Sequence, residues 1–199
     1  MMTFVETISV RDGAIENLPY HECRIYSTMM HFYCRKPDFS PADIEIPGPF
    51  RQGHCKLRIV YAERLLSSHF SDYTPRTIHT IRCVEADYLH YAYKFEDRTQ
   101  LISLLGRRGD ADEILIVKNG QITDTSYSNV VLSKGNRLFT PLYPLLPGTR
   151  RHALLKAGVI EAIPITPEQL TGFDRLYLIN AMIGLNDNVS VPVGSIRLT

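Results

Sequence analysis

Apolar and polar positions alternate with a period of two from Phe4 to Val10 and break at Arg11-Asp12-Gly13, which predicts a strand entering a hairpin. The period then lengthens. Ile25, Met29 and Phe32 recur at helical spacing within Tyr20 to Phe32, so a helix packed on the hairpin is expected there. Pro37 to Pro49 holds four prolines and reads as a loop. Lys56 to Ala62 and Thr77 to Ala86 alternate again as strands, with a polar and aromatic loop around Ser67 to Pro75 between them.

Phe95 to Arg108 places Leu101, Leu104 and Leu105 on one helical face and stops at Arg107-Arg108-Gly109, which predicts a short helix entered from a loop carrying Lys94. A β-meander follows: Glu113 to Lys118, a turn at Asn119-Gly120, Gln121 to Thr123, Asn129 to Leu132, a turn at Lys134-Gly135-Asn136, and Arg137 to Thr140. Thr149 is placed to cap a helix through Ala157 that Gly158 ends. Ile160 to Ile165, Thr166 to Leu170 and Leu176 to Asn180 read as strand, short helix and strand. The whole predicts an α+β chain in two parts: a small N-terminal α/β part over 1–88, a linker over 89–93, and a meander-based, barrel-like C-terminal part over 94–199.

Composition changes this picture little. At 199 residues the chain is long enough to bury a core without staples. Lys+Arg 22 against Asp+Glu 21 leaves a formal charge of +1, so no global field argues for nucleic acid or an acidic surface. The longest apolar runs are too short to span a bilayer and the N-terminus lacks a basic segment followed by an apolar one, so a cytoplasmic protein is expected. Four cysteines without a C-x-x-C pair or a histidine at metal spacing read as buried, inert thiols rather than disulfides or a metal site. One feature resists a purely structural reading: Asp124 lies inside a run of small hydroxyl residues between two apolar strands, where the flanking pattern points inward.

Lys94, Ala111-Asp112-Glu113-Ile114-Leu115, Gly120-Gln121-Ile122-Thr123-Asp124, Ser128-Asn129, Thr140-Pro141 and Leu146-Pro147-Gly148-Thr149-Arg150 follow one another in order. That order resembles the class IV aminotransferases, the fold-type IV pyridoxal-phosphate enzymes that include branched-chain and D-amino-acid aminotransferases and aminodeoxychorismate lyase. The resemblance covers Lys94 to about Met182 well and Phe4 to Arg24 more loosely.

The resemblance implies pyridoxal 5′-phosphate as cofactor, Lys94 as the catalytic lysine that bonds it, and Asp124 as the carboxylate facing its pyridine nitrogen. It further implies that Arg24, in His21-Glu22-Cys23-Arg24, and the helix start at Gly148 and Thr149 take the phosphate. Ser128, Arg98, Asn180 and Ala181 complete the implied cofactor residues. Asn180-Ala181-Met182, and an arginine four residues after the lysine, are similar to aminodeoxychorismate lyases in particular, which favours a lyase releasing pyruvate over an amino-acid aminotransferase. A non-catalytic protein that kept the fold is the third possibility. An amino-acid-type substrate and a homodimer closing over its own active sites are implied as well.

Several positions depart from the family. The chain begins almost at the family's first F-E-T strand and is short in its first half. Asp124 stands where a glutamate is usual, one residue is missing after Gly148, and Val5 stands where relatives often have an aromatic. Taken alone, Arg24 would read as a helix-surface charge and Thr149 as an ordinary cap.

Overall fold

The computed structural model describes residues 1–198 and divides the chain into two compact units. The first comprises 1–74 together with 93–97, and the second 75–92 together with 98–199.

In the first unit β1 (Phe4–Arg11) turns through Asp12 and Gly13, both at positive φ, into the short β2 (Ala14–Ile15). Helix α1 (Leu18–Tyr33) follows, then β3 (His54–Tyr61) and β4 (Leu65–Asp72). The strands form an antiparallel sheet in the order β2-β1-β3-β4. Because side chains alternate along a strand, Phe4, Ile8 and Val10 of β1 share a face with Leu57, Ile59 and Tyr61 of β3. Ile25 and Met29 of α1 close that core, as their helical spacing predicts.

The second unit contains β5 (Ile81–Glu85), helix α2 (Thr99–Leu105), β6 (Glu113–Lys118), β7 (Gln121–Thr125), β8 (Asn129–Lys134), β9 (Arg137–Pro141), helix α3 (Thr149–Lys156) and β10 (Glu161–Ile163). The strands β11 (Arg175–Ile179), β12 (Ser190–Pro192) and β13 (Ile196–Arg197) complete it. One branched sheet runs β10-β9-β8-β7-β6-β5-β13, with β11 paired to both β8 and β12. β8 reads as a continuous apolar run because it is covered on both faces: Val130 and Leu132 enter the main core, while Val131 packs with Ile160, Ile179 and the α3 side chains Leu154 and Leu155. Asn119 and Gly120 both adopt positive φ, the conformation a two-residue hairpin needs between β6 and β7.

The structure differs from the sequence reading at several places. The stretch read as a loop from Ser67 is the edge strand β4, in which Phe70 alone is buried, so no apolar alternation marks it. The helix drawn from Phe95 begins at Thr99, because Phe95 bridges Phe4 and the Glu96 N–H bonds the Thr3 carbonyl, holding that stretch extended. Thr149 does not cap α3. Gly148 occupies the cap position without a side-chain bond, and Thr149 is the first helical residue. The division into 1–88 and 94–199 also shifts: β5 pairs in parallel with β6, which carries 75–92 into the second unit, while 93–97 packs in the first. Cys55 and Cys83 are buried thiols, whereas Cys23 and Cys34 are exposed.

Candidate active site

The residues singled out by the sequence fall in both units: Arg24 and Lys94 in the first, Arg98, Asp124, Ser128, Gly148, Thr149, Asn180 and Ala181 in the second.

In the first unit the core-facing register of β1 contains one carboxylate among apolar neighbours. Glu6, between Phe4 and Ile8, is completely buried. Two residues one helical turn apart on α1 meet it: Arg24 donates from Nε to Oε1 at 2.7 Å and from Nη2 to Oε2 at 2.6 Å, and His21 Nδ1 lies 2.5 Å from Oε2. Burial alone would raise the Glu6 carboxyl, but the Arg24 charge and the hydrogen bonds from His21 and Arg24 outweigh it and hold the group at about 2. Arg24 is therefore an internal cation in a fixed orientation, which excludes the helix-surface reading.

Lys94 is half-buried, and its carbonyl accepts the Val5 N–H at 2.9 Å, next in sequence to Glu6. Tyr93 and Phe95 on either side pack against the core, with Phe95 5.1 Å from the Phe4 ring and Tyr93 4.8 Å from Phe32. Both neighbours are thus anchored, and the lysine backbone is fixed against β1.

In the second unit the meander brings the chemistry to the start of β8. Asp124 pairs in register with Asn129, and Asn129 with Ile179, so the residues at 124, 129 and 180 converge although they are far apart in sequence. Asp124 is 4% exposed. Its Oδ1 accepts from Asn129 Nδ2 at 2.8 Å and its Oδ2 from the Leu146 N–H at 2.8 Å. Burial pushes its carboxyl up to about 7, against the lowering effect of these donors and of the nearby Arg151 charge. The inward placement of Asp124 expected from the strand pattern is what the structure has.

Asn129 organises the surroundings. Its Nδ2 also donates to the Leu146 carbonyl at 2.8 Å, and a Cβ at Gly148 would stand 1.9 Å from its Oδ1, so only glycine fits there. Ser128 Oγ accepts from Asn180 Nδ2 at 2.9 Å. Asn180 Oδ1 in turn accepts the N–H groups of Met182 and Ile183, and Arg150 Nη2 donates to the Ala181 carbonyl at 3.1 Å. Arg98 Nη2 donates to the Ser126 carbonyl at 2.6 Å in the turn between β7 and β8.

The donor set fits pyridoxal 5′-phosphate. A buried carboxylate with a raised pKa is suited to a cationic ring nitrogen, and the cap-free start of an eight-residue helix behind a glycine is suited to a phosphate. Sequence reasoning did not single out Glu6, His21 or Asn129 as site residues. The signal was present for Glu6, a charged residue at a core position of an alternating strand, and for Asn129 in the Ser128-Asn129 motif, although its packing against Gly148 appears only in the fold.

Residues 101–190 match the family model described as amino-transferase class IV. A protein of Haemophilus influenzae is 33% identical over 93% of this chain and 100% of its own length. A solved candidate 4-amino-4-deoxychorismate lyase from Haemophilus somnus is 33% identical, covers 92% of this chain and 98% of that one, and superposes with a TM-score of 0.86. A hypothetical aminotransferase from Mycobacterium tuberculosis in its PLP-bound form is 17% identical, covers 98% of this chain and 81% of that one, and shares the fold at a TM-score of 0.78. With its α+β architecture of fold-type IV, the chain belongs to the class IV aminotransferase family.

Proposed function

We propose that the chain is a pyridoxal 5′-phosphate-dependent lyase acting on a small amino-acid-type substrate, of the kind that releases pyruvate from aminodeoxychorismate and leaves 4-aminobenzoate. The observation that carries the cofactor is Asp124: a buried carboxylate whose carboxyl stays raised despite its hydrogen-bond donors and the nearby Arg151 charge gains most from a cationic ring nitrogen as partner. When bound, pyridoxal 5′-phosphate supplies an electron sink for negative charge at the substrate α-carbon.

The chain's own residues do the rest. Lys94 would hold the cofactor through its amine; displaced by the substrate's own amine, its freed amine would take the proton from the substrate α-carbon, and the electron pair left there would expel the β-substituent. Asp124 keeps the ring nitrogen protonated. Arg24 and the helix start at Gly148 and Thr149 hold the phosphate, with Ser128, Asn180, Ala181 and Arg98 around it. Asn129 positions Asp124 rather than reacting. The similarity to the Haemophilus somnus protein over nearly the full chain supports the lyase, as do Asn180-Ala181 and Arg98.

Visible absorbance after adding the cofactor tests the first step, and coupled assays of pyruvate release and amino-group transfer test the second. Pyruvate release without transfer is the expected result; transfer alone would reassign the chain as an aminotransferase, and no absorbance change would make it a non-catalytic relative. The working form is a cytoplasmic homodimer whose cofactor affinity falls on dilution. No helix among the described residues is long and apolar enough to cross a membrane. Sedimentation showing a fully active monomer would refute the dimer.

A further inference from the structure

The second unit contains a cleft of about 520 Å³ that none of the roles above uses. It opens beside the β6–β7 hairpin, where Lys118 and Gln121 are direct cross-strand partners, so their side chains leave the hairpin on the same face. Thr123, two residues farther along β7, extends that polar row. Opposite in character, Tyr91, Pro144 and Leu145 give the cleft apolar surface. The volume lies within the range that holds small organic ligands, and a few convergent polar groups over apolar walls are what such sites present.

The polar row is also unbalanced. Gln121 Oε1 is buried without a hydrogen-bond partner, an acceptor that protein atoms leave unsatisfied. Lys118 Nζ donates to the Leu89 carbonyl at 2.5 Å, which engages one of the three donors of an ammonium group on the cross-strand partner of Gln121. A ligand that satisfies both presents an anion and an N–H or O–H donor side by side, joined to a flat apolar body.

We propose that this cleft is a second ligand site, separate from the cofactor residues, for a small aromatic carboxylate bearing an amino or hydroxyl group adjacent to its carboxylate. The carboxylate meets Lys118, the neighbouring donor meets Gln121 Oε1, and the ring lies against Tyr91, Pro144 and Leu145. Thr123 Oγ1, already donating to the Ile116 carbonyl, keeps its acceptor capacity toward the ligand. The inference does not depend on the reaction proposed above.

The test uses 2-aminobenzoate, whose fluorescence is readable because the chain contains no tryptophan, with benzoate as the probe that lacks the donor. Saturable binding of 2-aminobenzoate to the full chain is expected, with benzoate about tenfold weaker, the loss of about one hydrogen bond. Gln121→Leu removes an unsatisfied acceptor and keeps the fold, and it should abolish the preference between the two probes. Lys118→Met should weaken both, with Lys118→Arg restoring them. Lys94→Ala should leave binding unchanged. No saturable binding, or equal binding of both probes to the unsubstituted chain, would overturn the site. Binding lost in Lys94→Ala but kept in Gln121→Leu would also overturn it, by moving the probe to the catalytic residues and leaving the proposed function standing.

Discussion

Replacing Glu6 by glutamine removes a charge without changing shape, and the structure gives the size of the effect. In the folded chain the Glu6 carboxyl sits at about 2, against an ordinary value of 4.5. At about 1.4 kcal/mol per tenfold change in proton affinity, that gap corresponds to about 3 kcal/mol of folding stability. The sign follows from the depressed value: the contribution is complete above pH 4.5 and disappears as the pH falls toward 2, where the folded carboxyl finally protonates. Glutamine keeps one acceptor oxygen in place of two, so an amide oxygen at the Oε2 position still meets Arg24 Nη2 and His21 Nδ1 while the Arg24 Nε hydrogen bond to Oε1, and the charge, are lost at neutral pH. Urea denaturation of both proteins at pH 7, 5, 4 and 3, followed by circular dichroism, measures the difference directly. The expected gap is about 3 kcal/mol at pH 7 and 5, narrowing by about 1.4 kcal/mol per pH step below 4.5. A gap that stays constant from pH 7 to pH 3 would refute the reasoning, because it would mean that shape rather than charge holds Glu6 in place.

Three further outcomes are expected. Lys94→Ala should prevent covalent capture of the cofactor while leaving the fold intact; borohydride reduction and peptide mapping of the unsubstituted protein should label Lys94, and label at Lys118 or Lys56 would contradict the assignment. Asp124 runs opposite to Glu6: its carboxyl is raised from 3.8 to about 7, so the cofactor-free protein should lose up to about 4 kcal/mol as the pH rises through that window, and Asp124→Asn should flatten the dependence. Gly148→Ala forces a methyl against Asn129 Oδ1 and should lower stability by about 1–3 kcal/mol, read as a drop in melting temperature; an unchanged melting temperature would show that the 1.9 Å approach relaxes freely.

What the sequence makes legible depends on whether a residue announces itself along the chain or only across it. Ile25 and Met29 could be placed in the first core because helical spacing is a property of neighbours, and Asn119-Gly120 could be placed in a hairpin because its turn demands positive φ. β4 was invisible for the converse reason: its residues are fixed by backbone pairing to β3, and their polar side chains face solvent. The extended run at Lys94 looked like a helix entrance because Leu101 and Leu104 follow so closely, while the hydrogen bonds that hold it straight come from residues 3 and 5. Asp124 was legible through its odd placement and the ordered motifs around it. The bidentate grip of Glu6 on Arg24 was not, since the pairing of a β1 carboxylate with an α1 arginine emerges only when helix and sheet are packed.

The path of the chain between the two units has a consequence for synthesis. Residues 93–97 complete the first unit, but β5, which belongs to the second, precedes them in the sequence. During translation, with the N-terminus made first, β1 to β4 are synthesised before the segment carrying Lys94 exists. The first unit must therefore wait, with the Val5 N–H and the Thr3 carbonyl lacking their final partners, while part of the other unit is made. A nascent chain stopped at residue 74 would carry the Glu6–Arg24 pair but not Lys94, and one stopped just past 97 would be the first to own a finished unit.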